Sequence, residues 1–160
     1  MTQFFSTFYT NILIYLVFIP LIGILILLFL RSEQQKLFKI IALNFSFLPF
    51  VGFLFVWGGF KKSIGTFQFV TKVLWIPVLN LNITLGVDGI SLFFLLLTTL
   101  LIPLCILISW NSITFRVKEY YLMLLLTELL LINVFSVLDL LFFYVFFESV
   151  LIPMFIIIGV

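Results

Sequence analysis

The sequence predicts an all-α integral membrane protein with five transmembrane helices and a small β-hairpin in the loop between helices 2 and 3. Two observations carry that class. Hydrophobic residues make up 65% of the 160 residues and charged ones 9%, with a mean hydropathy of +1.44, far outside soluble composition. The apolar residues are also gathered into runs close to the ~20 residues that a helix rising ~1.5 Å per residue needs to cross a hydrocarbon core of about 30 Å.

The first run is Ile12–Leu30. The connector Arg31-Ser32-Glu33-Gln34-Gln35-Lys36-Leu37-Phe38-Lys39 follows, and its shortness makes the first two helices antiparallel neighbours. Ile40–Trp57 is the second run. Between Gly58 and Asp88 the pattern changes, because Leu79, Leu81, Ile83, Leu85 and Val87 alternate strictly with polar residues and glycine. Thr66-Phe67-Gln68-Phe69-Val70 alternates too, so a hairpin lying over the membrane surface is expected, with Trp57 and Trp75 at headgroup depth. The remaining runs are Gly89–Trp110, Tyr120–Val137 and Leu140–Val160. Ser136-Val137-Leu138-Asp139 must turn the chain between the last two, with Asp139 placed to cap the fifth helix.

Charge sets the sidedness. Arg31, Lys36, Lys39, Arg116 and Lys118 flank one side, against Lys61, Lys62 and Lys72 on the other, which favours the first group inside. Pro20, Pro49, Pro103 and Pro153 each fall within a run and release the carbonyl four residues earlier, those of Leu16, Phe45, Thr99 and Ser149.

Several function classes are excluded. The chain has no His and one Cys, Cys105, so it builds no disulfide, thiolate metal site or haem attachment. Residues 1–30 hold no Lys, Arg, Asp or Glu, which removes the basic region of a secretory signal and the Arg-rich face of a transit peptide, so no cleavage is expected. Gly86-x-x-Gly89 is a turn signal and no phosphate loop, and no basic patch suits a nucleic acid. Phe at 23 and a single Ala, Ala42, suit AT-rich coding of the kind common in organelle genomes.

What remains is two carboxylates in hydrocarbon. Glu148 lies about 12 Å along its helix from Leu140, near mid-bilayer. A charge there costs on the order of 3 kcal/mol, so such residues face a bundle interior and handle ions or protons. Glu128 and Glu148 are each 10 residues from Leu138 and so share one depth, about 15 Å from the turn. If helix rotation lets them meet, they titrate as a coupled pair. Tyr144, at i−4, shares a face with Glu148 and can donate to it, and Ser149, whose carbonyl Pro153 frees, adjoins it as a hydratable spot. No Lys or Arg falls inside a run, so a cationic partner is expected from other helices.

Three stretches carry a family resemblance: Leu85-Gly86-Val87-Asp88-Gly89-Ile90-Ser91-Leu92-Phe93-Phe94, Lys118-Glu119-Tyr120, and Asp139 through Met154 with its Phe146-Phe147-Glu148-Ser149 and Ile152-Pro153-Met154. In order and spacing the sequence resembles the chain 4 family of mitochondrial NADH:ubiquinone oxidoreductase, respiratory complex I. The resemblance implies the first part of a 14-helix, antiporter-like, proton-pumping subunit built of inverted repeats. Glu148 falls on the family's helix-5 glutamate, and the family's key lysines lie on helices beyond this sequence. It also implies that FMN, iron–sulfur clusters, NADH and ubiquinone are bound by other subunits. The implied partners are other membrane-arm subunits, including antiporter-like neighbours, the lipid bilayer, and a second chain supplying the remaining helices if the gene is split. The implied location is the mitochondrial inner membrane. Two other readings remain, a subunit of a multisubunit cation/proton antiporter and a structural membrane subunit without transport.

Overall fold

The computed structural model describes residues 2–159, so the expected end of the last run at Val160 lies outside the described residues. Among the described residues, five helices are long and apolar enough to cross a membrane: α2 (Ile12–Phe29), α3 (Gln35–Gly59), α4 (Gly89–Ile108), α5 (Val117–Ser136) and α6 (Leu140–Gly159). A further helix, α1 (Thr2–Thr10), precedes them. It had no place in the hydropathy pattern because it is rich in Ser and Thr. Their hydroxyls bond back to helix carbonyls, as Ser6 Oγ and Thr7 Oγ1 do to Gln3 O at 2.8 and 2.9 Å.

α3 starts at Gln35, five residues before the apolar run does, because Gln and Lys are good helix formers. Lys36 and Lys39 therefore belong to a spanning helix, and Lys118 to the first turn of α5, which corrects the expectation that no cation lies within one. They sit at one end of the bundle and bond carbonyls. Lys118 Nζ donates to Leu28 O at 3.0 Å and Leu30 O at 2.7 Å, where α2 ends, and Lys39 Nζ donates to Trp110 O. Cations there complement the negative ends of the α2 and α4 dipoles.

The hairpin lies at the opposite end. β1 (Gln68–Ile76) pairs antiparallel with β2 (Leu81–Val87) in a register running from Gln68 opposite Val87 to Ile76 opposite Leu81. Pro77–Leu79 forms a single 3₁₀ turn and Asn80, at φ 51°, closes it in the left-handed region that Asn tolerates. Leu79 is thus in the turn and the alternation becomes strand from Leu81 onward. Thr71 Oγ1 donates to Thr10 O at 2.6 Å and ties β1 to the end of α1. Trp57 and Trp75 are both exposed at this end, and Trp75 meets Phe142 of α6 edge-on at 5.3 Å.

α5 is the central helix, packing against α2, α3, α4 and α6. Of its spanning window 61% is buried, against 17% for α6, which packs chiefly on α5. The core forms two clusters. Leu13, Phe53, Leu95 and Ile132 belong to the one beneath the hairpin, and Leu27, Phe38, Ile106 and Leu125 to the one at the cationic end. Where α2 and α3 meet, a Cβ on Gly23 would lie 2.7 Å from Phe45 Cβ, so the glycine permits the close approach on which helix association in lipid depends.

Candidate functional site

The two carboxylates share a depth and differ in everything else. Glu148 projects from the outer face of α6, and its i−4 neighbour Tyr144, 62% exposed, shares that face. No hydrogen bond joins them. Leu141, Leu151 and Ile152 complete the same exposed stripe. Ser149 Oγ donates to Val145 O at 2.7 Å, so its hydroxyl is spent on its own helix and does not reach Glu148. Pro153 is buried, on the side of α6 turned to α5. Glu148 thus stands near the middle of α6 on a surface that the other described residues leave open.

Glu128 is the opposite case. It is 0% exposed, and neither carboxyl oxygen has a hydrogen-bond partner among the described residues. It sits between Leu125, in the cluster at the cationic end, and Ile132, in the cluster beneath the hairpin. The two acids therefore do not bond to each other. Helix rotation decides the matter: α5 turns Glu128 into the bundle and α6 turns Glu148 away from it.

Sequence reasoning missed two residues of the interior stripe of α5. Tyr121 and Ser136 are both 0% exposed, and Tyr121 Oη and Ser136 Oγ also complete no hydrogen bond. Tyr121 Oη approaches Ser109, whose Oγ already donates to Cys105 O at 2.8 Å. The available signal was spacing, because 121, 128 and 136 fall near one another on a helical wheel.

The hairpin end carries two further acids, each bonded to backbone. Asp88 caps α4, its Oδ1 accepting from Ser91 N at 2.7 Å, and that hydrogen bond holds its carboxyl below the usual carboxylate value. Asp139 takes the capping position through its carbonyl, which accepts from Phe143 N at 2.9 Å, but its side chain does not cap α6 as expected. Its Oδ2 instead accepts from Thr84 N at 2.9 Å, while Leu138 N donates to Thr84 O at 2.8 Å. The turn between α5 and α6 is thereby clasped to β2, with Leu85 bridging antiparallel to Val137. Gly86 permits the contact, since a Cβ there would come within 3.0 Å of Leu138 Cδ1.

No family model matches the chain. Individual relatives do. It is 56% identical over 141 residues to NADH-ubiquinone oxidoreductase chain 4 of Chondrus crispus, covering 88% of this chain and 29% of the relative. The namesake of Arabidopsis thaliana is 51% identical over 145 residues, 91% of this chain and 29% of its own. That of Marchantia polymorpha is 48% identical over all 160 residues and 32% of its own length. The chain thus spans about three-tenths of the length of the curated relatives it matches.

Proposed function

We propose, from the premise that this chain is a homologue of part of NADH-ubiquinone oxidoreductase chain 4, that it works within the membrane arm of respiratory complex I in the mitochondrial inner membrane. There it contributes Glu148 to an antiporter-like proton path driven by electron transfer from NADH to ubiquinone. One observation carries the reading: an exposed carboxylate near the middle of α6, on its outer face, with no hydrogen bond among the described residues. Leaving such a charge against lipid costs on the order of 3 kcal/mol, so a protein surface bearing a cation or hydrogen-bond donor covers it. Charge movement at that partner then alters the proton affinity of Glu148, and the carboxylate accepts and releases a proton as the partner changes state.

Glu128, on α5, is the weaker of the two proton-handling candidates. Tyr144 and Ser149 line the outer face without bonding Glu148, and Pro153 leaves the Ser149 carbonyl free beside it. Redox cofactors belong to other subunits in this reading.

The test is proton pumping in membrane vesicles, alongside quinone reductase rate, with Glu148→Gln in the assembled complex. Loss of pumping at normal assembly is expected. Full pumping would overturn the assignment and favour a purely structural carboxylate.

A further inference from the structure

Every buried side-chain nitrogen or oxygen that lacks a hydrogen-bond partner among the described residues lies on α5: Tyr121 Oη, both oxygens of Glu128, and Ser136 Oγ. With Leu125 and Ile132 between them these residues form one inward line, and all five are 0% exposed. The steps from 121 to 125, 128, 132 and 136 keep to one face of a helix. Along the axis Tyr121 and Glu128 are about 10.5 Å apart and Glu128 and Ser136 about 12 Å, so the line covers about 22 Å of a hydrocarbon core of roughly 30 Å.

Buried polar atoms in folded proteins are nearly always paired, with protein or with bound water. Their confinement to one line thus points to an occupant. The helices α3 and α4, both packed against α5, also carry acceptors. Ser46 in α3 and Thr99 in α4, both 0% exposed, stand near the middle of their helices. Their hydroxyls donate to Leu43 O and Leu95 O, which leaves the hydroxyl lone pairs open. Pro49 and Pro103 supply no N–H to the carbonyls of Phe45 and Thr99 on those helices.

We propose that the inward stripe of α5 is a second proton path, contained within this chain and separate from the face of Glu148: a file of bound water running past Tyr121, Glu128 and Ser136, with the Glu128 carboxyl as its mid-membrane relay. Hydrogen-bonded oxygens stand about 2.8 Å apart, so each 10–12 Å gap takes about three waters. At the relay one O–H bond forms on the carboxyl as one breaks on the water behind it, and the reverse transfer passes the proton on, with no co-reactant. Leu125 and Ile132 are the plugs. Apolar constrictions of this kind gate by dewetting, so water joins the three polar stations only when these side chains move, and a permanent leak is avoided.

That the file serves energy conversion rests on the proposed function, whereas its uptake of water does not. The test is infrared difference spectroscopy of the assembled complex, wild type against Glu128→Gln, in H₂O and D₂O. The Glu128 carboxyl band is expected to shift in D₂O, and the shift to develop several-fold more slowly in Tyr121→Phe and Ser136→Ala, each of which removes one hydroxyl and keeps the shape. Should Glu128→Gln fail to assemble, Glu128→Asp makes the same assignment by moving the band. A band indifferent to D₂O, or a shift as fast in both hydroxyl variants as in wild type, would overturn the file. Normal pumping by Glu148→Gln with the D₂O shift intact would instead defeat the proposed function and leave the file standing.

Discussion

Glutamine at position 148 keeps the outline of the side chain and loses the ability to change charge, so it separates packing from proton handling. Aspartate keeps the charge on a stem one methylene shorter, which misplaces it by about 1 Å. Glu148→Asp is therefore expected to retain part of the pumping that Glu148→Gln loses, read as protons moved per NADH oxidised in vesicles. Glu128→Gln is expected to be the milder substitution, a several-fold slowing. The common depth of the two acids was legible by counting residues from Leu138, because helical rise is fixed. Their opposite orientations were not. α6 is apolar all round, so its sequence marks no inner face, and its rotation is set by packing against α5. At the hairpin end, Asp88→Ala removes the cap of α4 and is expected to cost about 1 kcal/mol, read as a lower midpoint of heat-induced unfolding. The cap also has a pH dependence. The carboxyl is held below its ordinary 3.8, so its stabilisation is present above that pH and is lost as pH falls through the lowered value. The gap in midpoint between wild type and Asp88→Asn should narrow accordingly.

Among the elements, the hairpin was legible because strand alternation has a period of two and Asn80 supplies a turn residue, while its partner was not. Nothing local in Ser136–Asp139 announces that the turn will be read by Thr84, 55 residues away, and the ordinary expectation for Asp139 is a helix cap. The clasp consists of a carboxylate bonded to a backbone N–H, a backbone pair at Leu138, and a glycine that lets them approach. Asp139→Ala leaves Thr84 N without its partner and is expected to cost about 1–3 kcal/mol. Gly86→Ala drives a methyl against Leu138 and is expected to loosen the same contact. Faster hydrogen exchange at Thr84 and Leu138 in both variants, with exchange in α2 unchanged, would locate the damage at the clasp.

In the whole molecule, the two ends differ in charge and in architecture. Lys36, Lys39, Arg116 and Lys118 gather at the end where α2 terminates, and Lys61, Lys62 and Lys72 lie at the hairpin end. Single-cysteine labelling is expected to find positions 36 and 116 reactive from one side of the membrane and position 61 from the other, and a shared side for 36 and 61 would overturn the topology. The amine of Lys118 joins the end of α2 across 88 residues of sequence, and that of Lys39 reaches Trp110 across 71. Bonds with so long a reach cannot form in the order of synthesis. While the ribosome is still making α4, the terminal carbonyls of α2 have yet to meet the amine of Lys118. Closure comes late, first at Trp110 and then with α5 as the keystone, and slow maturation is the kinetic signature of such non-local contacts.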